Sequence, residues 1–293
     1  MDRKQFLKTL GLLPFTSAAM KLNALEPWAM ELRPTDKMPV LFLGHGSPMN
    51  AIEDNAFVQG FRQVAKTLPL PQAILCISAH WETRGTFVTA MEHPRTIHDF
   101  GGFPQALFDV QYPAPGSPAL AKETQSLINQ TEVGLDLEWG LDHGAWSVIK
   151  HLFPEANIPV VQMSLDYRQP PSYHYALAVQ LQSLRKKGVL IIGSGNMVHN
   201  LRMVAWPKLH EQFGFDWALE ASATMKKHLL SGQHAPLLAY RDQGAAFQLA
   251  IPTPEHYLPL IYTMGLQEPS DDIQLFNDAP VAGALTMTSV KWG

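Results

Sequence analysis

Twelve histidines in 293 residues, against one cysteine, are the side chains most able to do chemistry in this sequence. Imidazole changes charge near neutral pH and is the commonest metal ligand, so the excess points to proton transfer or to a metal centre. Four histidines sit in glycine- or proline-containing motifs at the ends of apolar runs. His45 lies in Gly44-His45-Gly46-Ser47-Pro48-Met49-Asn50, directly behind Leu43, and His80 in Ser78-Ala79-His80-Trp81-Glu82-Thr83, directly behind Ile77. His199 closes Gly193-Ser194-Gly195-Asn196-Met197-Val198-His199-Asn200, and His256 follows Pro252-Thr253-Pro254-Glu255 where a helix is expected to open. A single histidine after a strand is commonly a hydrogen-bonded structural residue, and spacing alone leaves both that role and a metal site open. The sequence has no H-E-x-x-H, no P-loop and no G-x-S-x-G, and Gly193-Ser194-Gly195 fails the dinucleotide pattern at Val198. Ser47 and Ser194 therefore read as turn formers. Cys76 alone excludes an internal disulfide and a multi-cysteine zinc site.

The elements that must position these residues read as an α/β domain. Val40–Leu43, Ala73–Ile77, Val160–Leu165 and Gly188–Ile192 are short continuous apolar runs, the signature of strands buried on both faces. Thr86–Thr89 and Gly283–Val290 read as further strands. Helices are expected over 55–68, 117–129, 145–152, 173–184, 215–230 and 255–264, and the Gly/Pro-rich stretch 94–116 as a long ordered loop. In an open α/β sheet, ligands bind where strand ends and helix starts converge, which is where the histidine motifs fall.

The chain is 46% hydrophobic and 16% charged with net charge −4, and no block of lysine and arginine stands out. This composition argues for a large folded core and against nucleic acid or an anionic membrane as a partner. No run approaches the roughly 18 apolar residues of a membrane span. No internal repeat or linker interrupts 39–293, which reads as one domain. Residues 1–38 read as a leader: Asp2-Arg3-Lys4-Gln5-Phe6-Leu7-Lys8 is similar to a twin-arginine export signal with lysine in the second place, followed by the apolar stretch Thr9–Met20. A surface-packed segment is the alternative, so cytoplasm and periplasm both remain open.

Taken together, the motifs resemble the DODA-type extradiol ring-cleaving dioxygenases of the LigB superfamily. The resemblance spans Pro39 to Gly293. Besides the histidine motifs it rests on Asp99-Phe100-Gly101-Gly102-Phe103-Pro104, Tyr112–Pro118, Leu141-Asp142-His143-Gly144-Ala145-Trp146 and Pro254–Leu260. His98 departs from it, since the family more often has tyrosine there. The resemblance implies a single-domain three-layer α/β sandwich around a mostly parallel or mixed sheet. It also implies a metal site at His45, His80, His199 and His256. An octahedral Fe(II) needs two positions for a catechol and one for dioxygen, which favours three permanent histidines. His199 is then expected as the general acid/base, with a near-neutral pKa. His143 is expected to hydrogen-bond substrate, or else to be structural and tied to Asp142. Trp81 and Phe103 are candidates for an aromatic wall, and Asp99 for ordering its loop. The remaining histidines, His93, His151, His174, His210, His228 and His234, are expected on surfaces or helix ends.

The implied activity is metal-dependent opening of a DOPA-like catechol by O2 next to the diol. Two other classes use the same histidines: a zinc hydrolase with tetrahedral Zn(II) and a water, and a non-catalytic metal-binding protein of the Memo type.

Overall fold

Val40–Gly44 (β1) has no exposed side chain, and alternate residues face opposite ways: Val40 and Phe42 join one hydrophobic cluster, Leu41 and Leu43 the other. A strand apolar on both faces has to be covered on both faces. The computed structural model, which describes residues 32–293, shows that arrangement. After β1 come α1 (Ala56–Ala65), β2 (Ala73–Thr83), β3 (Thr86–Thr89), α2 (Gln105–Phe108), α3 (Pro118–Leu127), β4 (Val133–Asp136) and α4 (His143–Leu152). The chain continues through β5 (Val160–Asp166), α5 (Pro171–Gln180), β6 (Val189–Gly195), α6 (Asp216–Leu230), α7 (His234–Leu238), α8 (Ala245–Ala250) and α9 (Leu258–Gly265). Four strands close it: β7 (Ile273–Phe276), β8 (Pro280–Val281), β9 (Leu285–Thr286) and β10 (Ser289–Trp292).

Eight strands form one sheet in the order β4-β3-β5-β2-β6-β1-β10-β7, with β8 and β9 paired separately. The central four, β5, β2, β6 and β1, run parallel, while β10 is antiparallel to β1 and β3 to β5. Helices α3, α5, α6, α8 and α9 cover one face through residues such as Leu120, Leu177, Met225, Phe247 and Ile261. Helices α1 and α4 cover the other through Phe61, Val64, Trp146 and Ile149. The expected three-layer α/β sandwich with a mixed sheet is the fold. Among the described residues, no helix is long and apolar enough to cross a membrane.

Register is what builds the functional end. Gly44 pairs with Gly195 and Ser78 with Ser194, so β1, β6 and β2 present their carboxyl ends at one level. β2 runs on to Thr83 rather than ending at Ile77, and its pairing with β5 shifts between Ile77 and Glu82. Such an irregularity bends a strand and re-aims its side chains, here at His80.

Several expectations change. The expected strand 283–290 is broken into β9 and β10, because the amide of Met287 turns away to bond Ala279. His256 lies in a turn ahead of α9, whose first residue is Leu258. The unread strands β4 and β7 are the two sheet edges, short and partly exposed, and carry no continuous apolar run. At the amino-terminal side, Thr35 and Met38 already bond to the main chain of Lys186 and Arg185. The twin-arginine-like motif and the stretch 9–20 lie outside the described residues.

Candidate metal centre

His45 begins the loop after β1, His80 sits on the bulged end of β2, and His256 comes from the turn before α9. Their ring centroids form a near-equilateral triangle with sides of 5.0, 5.1 and 5.2 Å. One nitrogen from each ring lies within 4.8 Å of the others, and Nε2 of His45 is 3.2 Å from Nε2 of His80. Two nitrogens bound to one ion at about 2.1 Å are held about 3.0–3.4 Å apart, so this spacing suits shared coordination.

The outer nitrogens fix which atoms point inward. Ser194 Oγ donates to the Gly144 carbonyl at 2.5 Å, so toward His45 Nδ1, 3.1 Å away, it can only accept. His80 Nδ1 faces the Asp99 carboxylate at 3.4 Å, and His256 Nδ1 faces Glu255 at 3.1 Å. Each acceptor keeps the proton on Nδ1 and leaves a lone pair on Nε2. The lone pairs of His45 and His80 then face each other 3.2 Å apart with no proton between them, an arrangement that a cation satisfies. Outer partners of this kind both set the tautomer and strengthen the ligand.

Electrostatics point the same way. Burial, reinforced by the neighbouring histidines, holds His45 and His256 well below the usual imidazole pKa. Burial and His143 bring His80 down to about 3, against the opposing pull of Asp99 and Glu255. All three are neutral at pH 7, the state in which imidazole binds a metal. The donor set therefore fits a first-row divalent ion.

The Leu141-Asp142-His143-Gly144 motif supplies the next layer. Asp142 is fully buried and caps α4 by accepting from the Ala145 amide, while Ser78 and Gln162 donate to its carboxylate. His143 is thus the first residue of α4, and its ring lies 3.9 Å from that of His80, centroid to centroid. It is tied to Asp99 and not, as one expectation had it, to Asp142. Asp99 accepts from the His143 amide at 2.8 Å and from its Nδ1 at 2.9 Å, across 44 residues of sequence. Burial raises the Asp99 pKa, but the bonds and charge of His143 and the charge of His80 outweigh it and hold the carboxyl below its usual range. Asp99 therefore does more than order its loop: one carboxylate orients two rings. Sequence reading missed this role, and those of Ser194 and Glu255; only the adjacency of Glu255 to His256 was a signal.

His199 is brought to the centre differently. Its ring stacks on His256 with centroids 3.5 Å apart and planes within 9°, and it shares its nearest donor group with Glu255 and His256 rather than with His45 and His80. Its pKa is not near neutral as expected: burial lowers it to about 4, and Glu255 only partly offsets this. Phe100 meets His143 edge-on at 5.4 Å and packs against Phe103 at 5.4 Å, forming an aromatic wall. Trp81 belongs instead to the core, stacked on Trp139. His98 holds the loop from behind by bonding the Val110 carbonyl. Two other histidines lie at helix ends, as expected, but face inward: His151, in the last turn of α4, bonds the Asn50 carbonyl, and His174, in the first turn of α5, is fully buried beside Tyr262.

The family described as the catalytic LigB subunit of aromatic ring-opening dioxygenase matches residues 39–276. A "4,5-DOPA dioxygenase extradiol" of Escherichia coli K12 is 47% identical over 262 residues, 88% of this chain and 95% of the relative. A protein of the same description from Beta vulgaris is 35% identical, over 86% of this chain and 95% of its own. The solved structure of an uncharacterized Escherichia coli K12 protein superimposes with a TM-score of 0.76 at 42% identity, covering 88% of this chain and all of that one.

Proposed function

Because the chain belongs to the LigB family of aromatic ring-opening dioxygenases, we propose that the triangle of His45, His80 and His256 is where it opens DOPA-like catechols beside the diol. The observation that carries this reading is that His45, His80 and His256, from three separate elements, bring one nitrogen each within 4.8 Å of the others while an acceptor faces Nδ1 of each ring. Fe(II) held by these nitrogens would supply the redox chemistry toward dioxygen, whereas Zn(II) fits the same donors and brings only Lewis acidity.

The chain's own residues bind, orient and move protons. With Nδ1–H on Asp99, His143 presents Nε2 as the acceptor for a catechol proton, and the carboxylate steadies the imidazolium that results. His199, neutral at pH 7, is a second proton acceptor on the His256 side and returns a proton as the ring opens. It serves here as acid/base and not as a permanent ligand of the ion that His45, His80 and His256 would hold. Phe100 and Phe103 flank the ring substrate and exclude water from it. Both oxygen atoms of O2 enter the product, and the bond cleaved joins a hydroxyl-bearing carbon to its unhydroxylated neighbour.

The test is metal analysis of anaerobically isolated protein, followed by oxygen consumption with catechols in Fe(II) and in Zn(II). Stoichiometric oxygen uptake with Fe(II) alone and a yellow ring-opened product are expected. Absence of uptake with every catechol, together with zinc-dependent amide or ester cleavage, would replace this reading with a hydrolase.

A further inference from the structure

Next to the histidines lies a cavity of about 410 Å³ whose lining begins at Gly46, one residue beyond His45. Phe57, Phe103, Leu285 and Met287 make its walls mainly apolar. Leu285 pairs through its main chain with His199, and Phe103 continues through Phe100 to His143, so the cavity shares two walls with the centre. Its charge is one-sided. Glu53 is the one carboxylate in the lining, His210 stands at an exposed position, and the remaining polar groups are amides and a hydroxyl. Among the described residues, no lysine or arginine lines it. The nearby cations are engaged elsewhere: Arg62 pairs with Asp54 at 2.8 Å, and Lys150 donates to the Ala51 carbonyl at 2.8 Å. Both line a separate depression that Glu53 lines as well, so this carboxylate stands on the ridge between the two. Glu53 itself accepts one bond, from the Asn55 amide at 3.3 Å, and has no ion-pair partner among the described residues.

We propose that this cavity receives the ring substituent of the catechol, and that Glu53 makes it favour an ammonium group there, as a DOPA-like substituent carries, over a carboxylate with no ammonium beside it. The proposal rests on the ring-opening reading and narrows its substrate class. A mainly apolar cavity with one carboxylate in its lining attracts a cation and repels an anion at the same position, so the two effects add in the comparison.

The experiment compares kcat/KM for three catechols of similar substituent length: 2-(3,4-dihydroxyphenyl)ethylamine, 4-propylcatechol and 3-(3,4-dihydroxyphenyl)propionate. The ammonium compound is expected to exceed the carboxylate by about tenfold, with the neutral compound between them. In Glu53→Gln the ratio falls to about one, and in Glu53→Lys it inverts. Because the readout is a ratio within each variant, a general loss of activity cancels. A wild-type ratio at or below one, or a ratio unmoved in both variants, overturns the proposal. A separate arm keeps the two readings apart: binding of 4-fluorophenethylamine and 3-(4-fluorophenyl)propionate to metal-free protein, followed by fluorine NMR. Preference for the amine that vanishes in Glu53→Gln supports the cavity even if no catechol is opened. Equal affinities reject it even if catechols are opened.

Discussion

Replacing Asp99 by Asn is the sharpest probe of how the centre is organised. The side chain keeps its shape, and the amide oxygen can still accept from the His143 main-chain N–H, 2.8 Å away. The amide NH2 then stands where Oδ2 stood, a donor facing Nδ1 of His143 at 2.9 Å and Nδ1 of His80 at 3.4 Å. Both rings must shift their proton to Nε2 to accept from it. His80 thereby loses the lone pair it points at the centre, and His143 loses its proton-accepting nitrogen. Loss of such an orienting partner typically weakens metal binding by about 10- to 100-fold, or about 1.4–2.7 kcal/mol. The assay is chelator competition for Fe(II) under anaerobic conditions and for Zn(II) in air, with thermal melting of the metal-free protein as a check on folding. Metal affinity in Asp99→Asn within about twofold of wild type, in a protein that melts normally, would refute the reasoning, because it would mean that His80 holds its tautomer without the carboxylate.

Three further outcomes follow from the same structure. Gly144→Ala puts a methyl group against Ser78 Oγ and 2.7 Å from His80 Cδ2, so overpacking should destabilise by about 1–3 kcal/mol in urea unfolding and abolish metal binding. The metal-free protein should lose stability steeply as pH falls from about 6.5 toward 4, because burial lowers His45, His80, His174, His199 and His256 and the unfolded chain takes up protons there that the folded one refuses. His174, brought to about 4 by burial, accounts for about 3 kcal/mol of this, and a melting temperature flat across that window would contradict it. Asp271→Asn strips the fully buried Arg185 of its carboxylate partner, at 2.7 and 3.0 Å, and should cost about 3–5 kcal/mol in denaturant unfolding. In the wild type, burial raises the Asp271 carboxyl but its bonds to Arg185, the Glu268 amide and Lys37 bring it to about 2. Its contribution is therefore present above pH 4 and fades as pH drops toward 2.

Much of this molecule is legible in local pattern. The runs Val40–Leu43 and Ala73–Ile77 are apolar at every position, and only a strand covered on both faces accommodates that, so the α/β class and the places where His45 and His80 emerge can be read directly. Asp142 ahead of His143 is likewise a local capping signal, and the structure uses it so. The partners of the histidines are a different matter. Asp99 reaches His143 across 44 residues, and Ser194 reaches His45 across 149, because β6 happens to lie between β1 and β2 with Ser194 level with their ends. Strand order and register are settled by the packing of whole layers, and no short stretch of residues encodes them. The stacking of His199 on His256 and the burial of His174 belong to the same class, since each depends on which helix is laid over which strand. Local periodicity tells a side chain whether it faces inward; the assembled sheet tells it what it will meet there.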